Sequence, residues 1–95
     1  MIYGGVLMKL GMCGSMESND CIITIKENCD NKNNILINSI VDDFFHKQIE
    51  SVILSVLEEK KINGVDIECN DKGALDFTIR ARMLTAIDRF NESVK

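Results

Sequence analysis

From Val41 to Leu57 the apolar residues recur every three or four positions: Val41, Phe45, Ile49, Val52, Ile53, Val56 and Leu57. That is the period of one face of an α-helix. The pattern predicts a helix over residues 41–61, whose stripe must lie on another apolar surface. Ser39 stands where an N-cap belongs, and Asp42 and Asp43 put carboxylates at the positive end of the helix dipole. Glu58, Glu59, Lys60 and Lys61 read as a solvated end, with Asn63-Gly64 as the stop. Each fully buried side chain on the stripe contributes roughly 1.5–3 kcal/mol.

On both sides of this helix the period changes to two. "CIITI" (21–25) and "ILINS" (35–39) are short β-branched runs, and the polar stretch "ENCDNKNN" (27–34) between them reads as a long hairpin connection. "KLGMCGSM" (9–16) offers a further strand, weakened by its glycines and joined to "CIITI" by a turn around Ser18. After the helix, "VDIEC" (65–69) alternates, "NDKG" (70–73) is a turn signal, and Leu75, Phe77, Ile79 and Ala81 alternate again. Residues 64–79 therefore read as a second hairpin. From about Ala81 the period is helical once more, through Met83, Ile87, Phe90 and Val94. The predicted fold class is α+β: an antiparallel sheet built from hairpins, with two helices packed on one face.

The 95 residues form one predicted domain, 1–95, able to bury roughly 60–70% of the surface its unfolded chain exposes. There is no proline, low-complexity tract or internal repeat. A net charge of −4 without a basic patch argues against nucleic acid as a partner. No apolar run is long enough to span a membrane. The start, "MIYGGVLMKLGM", is apolar, but it has no basic leading region and Lys9 interrupts it, unlike a signal peptide. The expected location is cytoplasmic, where the glycosylation pattern Asn91-Glu92-Ser93 carries no meaning.

The chemistry-bearing residues form no self-contained active site. Cys13, Cys21, Cys29 and Cys69 contain no Cys-x-x-Cys pair, and His46 is the only imidazole, so the spacing does not suggest zinc. Free thiols are the plainer reading. His46 lies off the apolar stripe with Glu50 one turn on, and reads as a solvated helix histidine rather than a general base. Asp66, Glu68, Asp71 and Asp76 at strand spacing read as a wet face, too sparse for a calcium loop. Phe44 and Phe45 read as core and edge packing. Arg80 and Arg82 point to one side if they lie on a strand, where they can grip a phosphate or carboxylate. On a helix they diverge by roughly 200°. The other reading is that they solubilise an exposed face. Ser18 lies among the turn formers Gly14, Ser15, Asn19 and Asp20, a hydroxyl near a surface tip. By itself that is an ordinary turn serine. The profile favours a carrier, adaptor or subunit over an enzyme.

The segment "GSMESND" at 14–20 is similar to the Gly-Thr/Ser-x-Glu-Ser-x-Asp segment of the acyl carrier (gamma) subunits of citrate lyase. The likeness continues through "ILINSIVDDFF" (35–45) and "VLEEKKINGVDIECNDKGALDFTIRAR" (56–82). It covers about residues 8–94, with 1–7 outside it. The chain therefore resembles that family. The Asp-Ser-Leu tripeptide of the familiar helical acyl carriers is absent. The resemblance implies that Ser18 bears a phosphoribosyl-dephospho-coenzyme A arm through a phosphodiester, and that acetyl and citryl thioesters ride on the arm's thiol. It implies a non-catalytic role beside alpha (acyltransferase) and beta (citryl lyase) subunits, with a prosthetic-group transferase and an acetylating ligase as further partners. Arg80 and Arg82 are candidate contacts for the arm or a partner. The carriers of citramalate lyase and malonate decarboxylase are alternatives, as is an adaptor in which Ser18 stays unmodified. Glu17 and Asp20 flank the attachment residue with like charge, which suggests an arm projecting away from the surface.

Overall fold

The computed structural model describes residues 2–3, 6–40 and 43–93, and the side chains of residues 8–40 and 45–93. In chain order the elements are β1 (Ile2–Tyr3), β2 (Val6–Leu7), β3 (Leu10–Gly14), β4 (Cys21–Glu27), β5 (Asn34–Ser39), α1 (Asp43–Glu59), β6 (Val65–Asp71) and α2 (Asp76–Glu92). Among the described residues β1 and β2 pair with each other and stand apart from the main sheet. The remaining strands form one sheet in the order β3-β4-β6-β5. The α+β class and the β3–β4 hairpin are as the sequence predicts.

The sheet is mixed rather than antiparallel throughout. β4 pairs antiparallel with β3 and with β6, but β5 runs parallel to β6. The expected hairpin between "CIITI" and "ILINS" does not exist, because β6 is inserted between them. Parallel neighbours need a long crossover, and α1 supplies it. The polar stretch after β4 passes the start of β6, held there by its asparagines. Asn28 and Asn34 each donate an amide hydrogen bond to Asp66 Oδ1 at 2.9 Å. Asn33 Nδ2 donates to the Ile62 carbonyl and its Oδ1 accepts from Val65 N–H, at 2.9 and 3.2 Å. The bonds from Asn34 and Asn28 hold the Asp66 carboxyl below the usual carboxylate range.

The second expected hairpin is also absent, since residues 76–92 are helix. The alternation of Leu75, Phe77, Ile79 and Ala81 is a coincidence of composition. Ile79 is fully buried, whereas Leu75 and Phe77 are 61% and 71% exposed. The working pattern is helical: Ile79, Met83, Ala86, Ile87 and Phe90 face the core. Val94 lies outside the described residues.

Both helices pack on the same face of the sheet. Cys21, Ile23 and Ile25 of β4 and Val65, Ile67 and Cys69 of β6 point into one core with Ile49, Ile53 and Val56 of α1 and the buried face of α2. Gly11 of β3 marks where α2 lies closest. A Cβ there would collide with the backbone of Ala86 and Phe90. The glycine that weakens the strand in isolation is what lets the helix dock on it.

α1 ends earlier than Asn63-Gly64. Lys61 takes a left-handed φ of 56°, its N–H donates to the Glu58 carbonyl, and Ile62 N–H reaches back to the Leu57 carbonyl. This bond pair is a Schellman cap, with Ile62 packing on the core behind it. Among the expected stripe residues, Phe45 is 48% exposed. Val41 and Asp42, and the side chains of Asp43 and Phe44, lie outside the described residues, and the expected Ser39 cap depends on them.

Candidate functional site

Ser18 lies in the turn joining β3 to β4. Asp20 N–H donates to the Glu17 carbonyl at 3.2 Å, closing a four-residue turn with Ser18 and Asn19 in its middle. Asn19 has φ 67°, the left-handed value that a type II turn needs at its third position and that asparagine tolerates. Ser18 is exposed, and its hydroxyl forms no hydrogen bond with any described residue. Ser15, the nearby second hydroxyl, is engaged: it donates to Asp20 Oδ2 at 2.7 Å and accepts from Glu17 N–H at 3.3 Å.

Two distant segments fix this turn. The Lys72 carbonyl accepts from Asn19 N–H at 2.8 Å, and Lys72 N–H donates to the Asp20 carbonyl at 2.9 Å. Arg82, one turn and a half into α2, grips the Asp20 carboxylate with both Nε and Nη2 at 2.8 Å. Asp20 Oδ1 also accepts the Cys21 N–H at 2.7 Å. The Asp20 side chain is only 14% exposed. The Arg82 bond first, then the Ser15 hydroxyl, hold its carboxyl far below the usual range. The like charge expected beside Ser18 is thus halved, since Asp20 is neutralised and Glu17 remains.

The Lys72 segment is fixed in turn by Asp71. This residue is 3% exposed, not part of a wet face, because it follows Val65, Ile67 and Cys69 on the inward side of β6. Its carboxylate accepts from the Ser39 hydroxyl at 2.8 Å and from the Gly73 and Ala74 N–H groups at 3.1 and 2.9 Å. Asp66 is half-buried, while Glu68 and Asp76 are exposed.

Arg80 and Arg82 both lie on α2, so they diverge. Arg80 Nη2 binds Glu59 of α1 at 2.7 Å, a pair with 42% and 48% side-chain exposure. Only Arg82 reaches the Ser18 turn. His46 is half-buried on α1. Cys13, Cys21 and Cys69 are buried free thiols, and Cys29 is exposed. The contact with Cys21, reinforced by burial, pushes the Cys69 thiol up. The residues that sequence reasoning missed are Asp71 and Lys72, both inside the "NDKG" turn signal.

A family model described as malonate decarboxylase delta subunit (MdcD) matches residues 8–90. The citrate lyase acyl carrier protein of Clostridium perfringens is 36% identical over 86 residues, covering 90% of this chain and 85% of that one. The same protein of Treponema denticola is 38% identical over 81 residues, covering 85% and 91%. That of Latilactobacillus sakei is 40% identical over 83 residues, covering 87% and 81%. Among solved structures, a chain from a Pseudomonas malonate decarboxylase hetero-tetramer in complex with malonate matches with a TM-score of 0.69 at 13% identity, over 86% of this chain and 84% of that one. That likeness establishes a shared fold. The 36–40% identity to the three citrate lyase carriers, over 85–90% of this chain, goes further: the chain belongs to the citrate lyase acyl carrier protein family.

Proposed function

We propose that this chain is the acyl carrier subunit of citrate lyase, a non-catalytic component of a cytoplasmic complex, with Ser18 as its attachment residue. The observation that carries the reading is an exposed, unbonded Ser18 hydroxyl on a turn tied down by the Lys72 backbone and by Arg82. A phosphoribosyl-dephospho-coenzyme A group fits this residue, since a phosphodiester needs a free hydroxyl with open approach. When bound, the group supplies a terminal thiol on which acyl groups are held as thioesters. No side chain among the described residues is hydrogen-bonded to the Ser18 hydroxyl to act as its base: the nearby Asp20 carboxylate is spent on Arg82 and Ser15, and the exposed Glu17 carboxylate makes no bond to it. A separate transferase must therefore take the hydroxyl proton. The protein's own task is to hold the attachment point rigid, so that a tethered group reaches each partner site at high effective concentration. Arg82 is a positioning residue for the turn, and Arg80 is left at the periphery as a partner contact. The partners are the alpha acyltransferase and beta citryl lyase subunits, the prosthetic-group transferase and an acetylating ligase. Among the described residues no helix is long and apolar enough to cross a membrane.

The test is intact mass and peptide mapping after incubation with the transferase and its arm precursor. Wild-type protein should gain the arm on Ser18, and Ser18→Ala should gain none. An arm on Ser15, or on Ser18→Ala at the wild-type level, overturns the assignment. Failure of wild-type protein to take up any arm favours the adaptor reading. The family-model description and the fold neighbour support one second reading, a malonate decarboxylase carrier. The identity of the large subunits that co-purify separates the two, and would also single out a citramalate system.

A further inference from the structure

Beside the Ser18 turn lies a shallow depression of about 270 Å³. Met16 of the turn and Ile40 form its apolar lip, while Asn38, Asn70 and Lys72 give it polar side chains. Asp71 and Ser39 also border it, but the Asp71 carboxylate is taken up by Ser39, Gly73 and Ala74. Asn38 Nδ2 donates to Asn70 Oδ1 at 3.2 Å, so two amides meet in the depression. Arg82, the cation already bonded to this turn, is committed to Asp20. Lys72 forms no ion pair with any described residue. Its backbone is bonded to Asn19 and Asp20, which immediately follow Ser18.

We propose that Lys72, with the amides of Asn38 and Asn70, forms an anion subsite that holds the phosphodiester and adjoining polar part of the Ser18-linked group against the protein. The inference rests on Ser18 being the attachment residue. A half-buried lysine with no acidic partner among the described residues, clasped by its own backbone to the residues that follow Ser18, brings a positive charge beside the turn on which the phosphate monoanion would be carried. The apolar lip lets its methylene stem pack while the ammonium stays available.

The test uses arm-loaded protein, with loading verified by intact mass. The phosphodiester ³¹P resonance is compared in wild type, Lys72→Met, Lys72→Arg and a remote control, Lys60→Met. In Lys72→Met it should sharpen and move toward the shift of the free arm precursor, with recovery in Lys72→Arg and no change in the control. In unmutated protein the Lys72 side-chain εCH₂ signal should move between unloaded and loaded forms, a readout that survives if Lys72→Met fails to fold. Fully loaded protein whose ³¹P signal ignores Lys72, or whose Lys72 signal ignores loading, overturns the subsite and leaves the Ser18 assignment intact. Wild-type protein that never loads overturns both.

Discussion

Replacing Asp71 by alanine should destabilise the protein and loosen the Ser18 turn together. The carboxylate is 3% exposed and accepts hydrogen bonds from one hydroxyl and two backbone amides. Bonds to a charged acceptor are worth about 1.5–3 kcal/mol each, but keeping a carboxylate out of water offsets part of that. At a net of about 1 kcal/mol per bond the loss is about 3 kcal/mol. In a domain this small each kcal/mol lowers Tm by about 4–8 °C, so the melt should fall by about 12–24 °C. Asp71→Asn keeps one acceptor oxygen and should lose roughly half as much. Urea unfolding followed by circular dichroism gives the free energy, provided the slope is unchanged. Amide exchange gives the coupling: Asn19 N–H, bonded to the Lys72 carbonyl, should exchange faster in Asp71→Ala. Stability within about 0.5 kcal/mol of wild type, with Asn19 exchange unchanged, would refute the view that Asp71 holds the loop that holds the turn.

Gly11→Ala should cost about 1–3 kcal/mol in urea unfolding, because the new methyl meets the α2 backbone rather than a movable side chain. Arg82→Gln should speed Asn19 exchange and slow arm loading. Arg80→Gln, which breaks an exposed pair, should leave the urea-unfolding midpoint close to that of wild type. Because Arg82 depresses the Asp20 carboxyl below its ordinary value of 3.8, the contribution of the pair is full above that pH and fades as pH falls below it. An acid titration of stability should therefore be shallower in Asp20→Asn than in wild type. An alkylating reagent should label Cys29 alone in native protein and all four cysteines in denaturant, read by mass.

Local signals in the sequence were legible wherever the structure is local. The β3–β4 hairpin and α1 follow from alternation and period. β6 was visible as a strand, but its insertion between β4 and β5 was not, because "CIITI" and "ILINS" look like natural partners until the asparagine bonds to Asp66 and Ile62 are known. Exposed Leu75 and Phe77 imitate a strand face, which hides the start of α2 in the sequence. Ser18 was recognisable only through the resemblance of its segment. What makes its turn a defined shape is the Asp20–Arg82 pair, whose members are 62 residues apart, and no pattern in either neighbourhood announces the other.

The insertion of β6 also sets an order of events during synthesis. β4 and β5 leave the ribosome without the strand that pairs with both, so β4 exposes a bare edge until residues 65–71 follow. The same delay governs the Ser18 turn. Ser18 is made well before the residues that shape its turn, since the backbone clasp from Lys72 and the guanidinium from Arg82 follow it by 54 and 64 residues. A nascent or truncated chain therefore displays the serine without the shape around it. Under the proposed Ser18 assignment, a transferase that reads the closed turn is expected to pass over such chains and to load only those in which Lys72 and Arg82 have closed it.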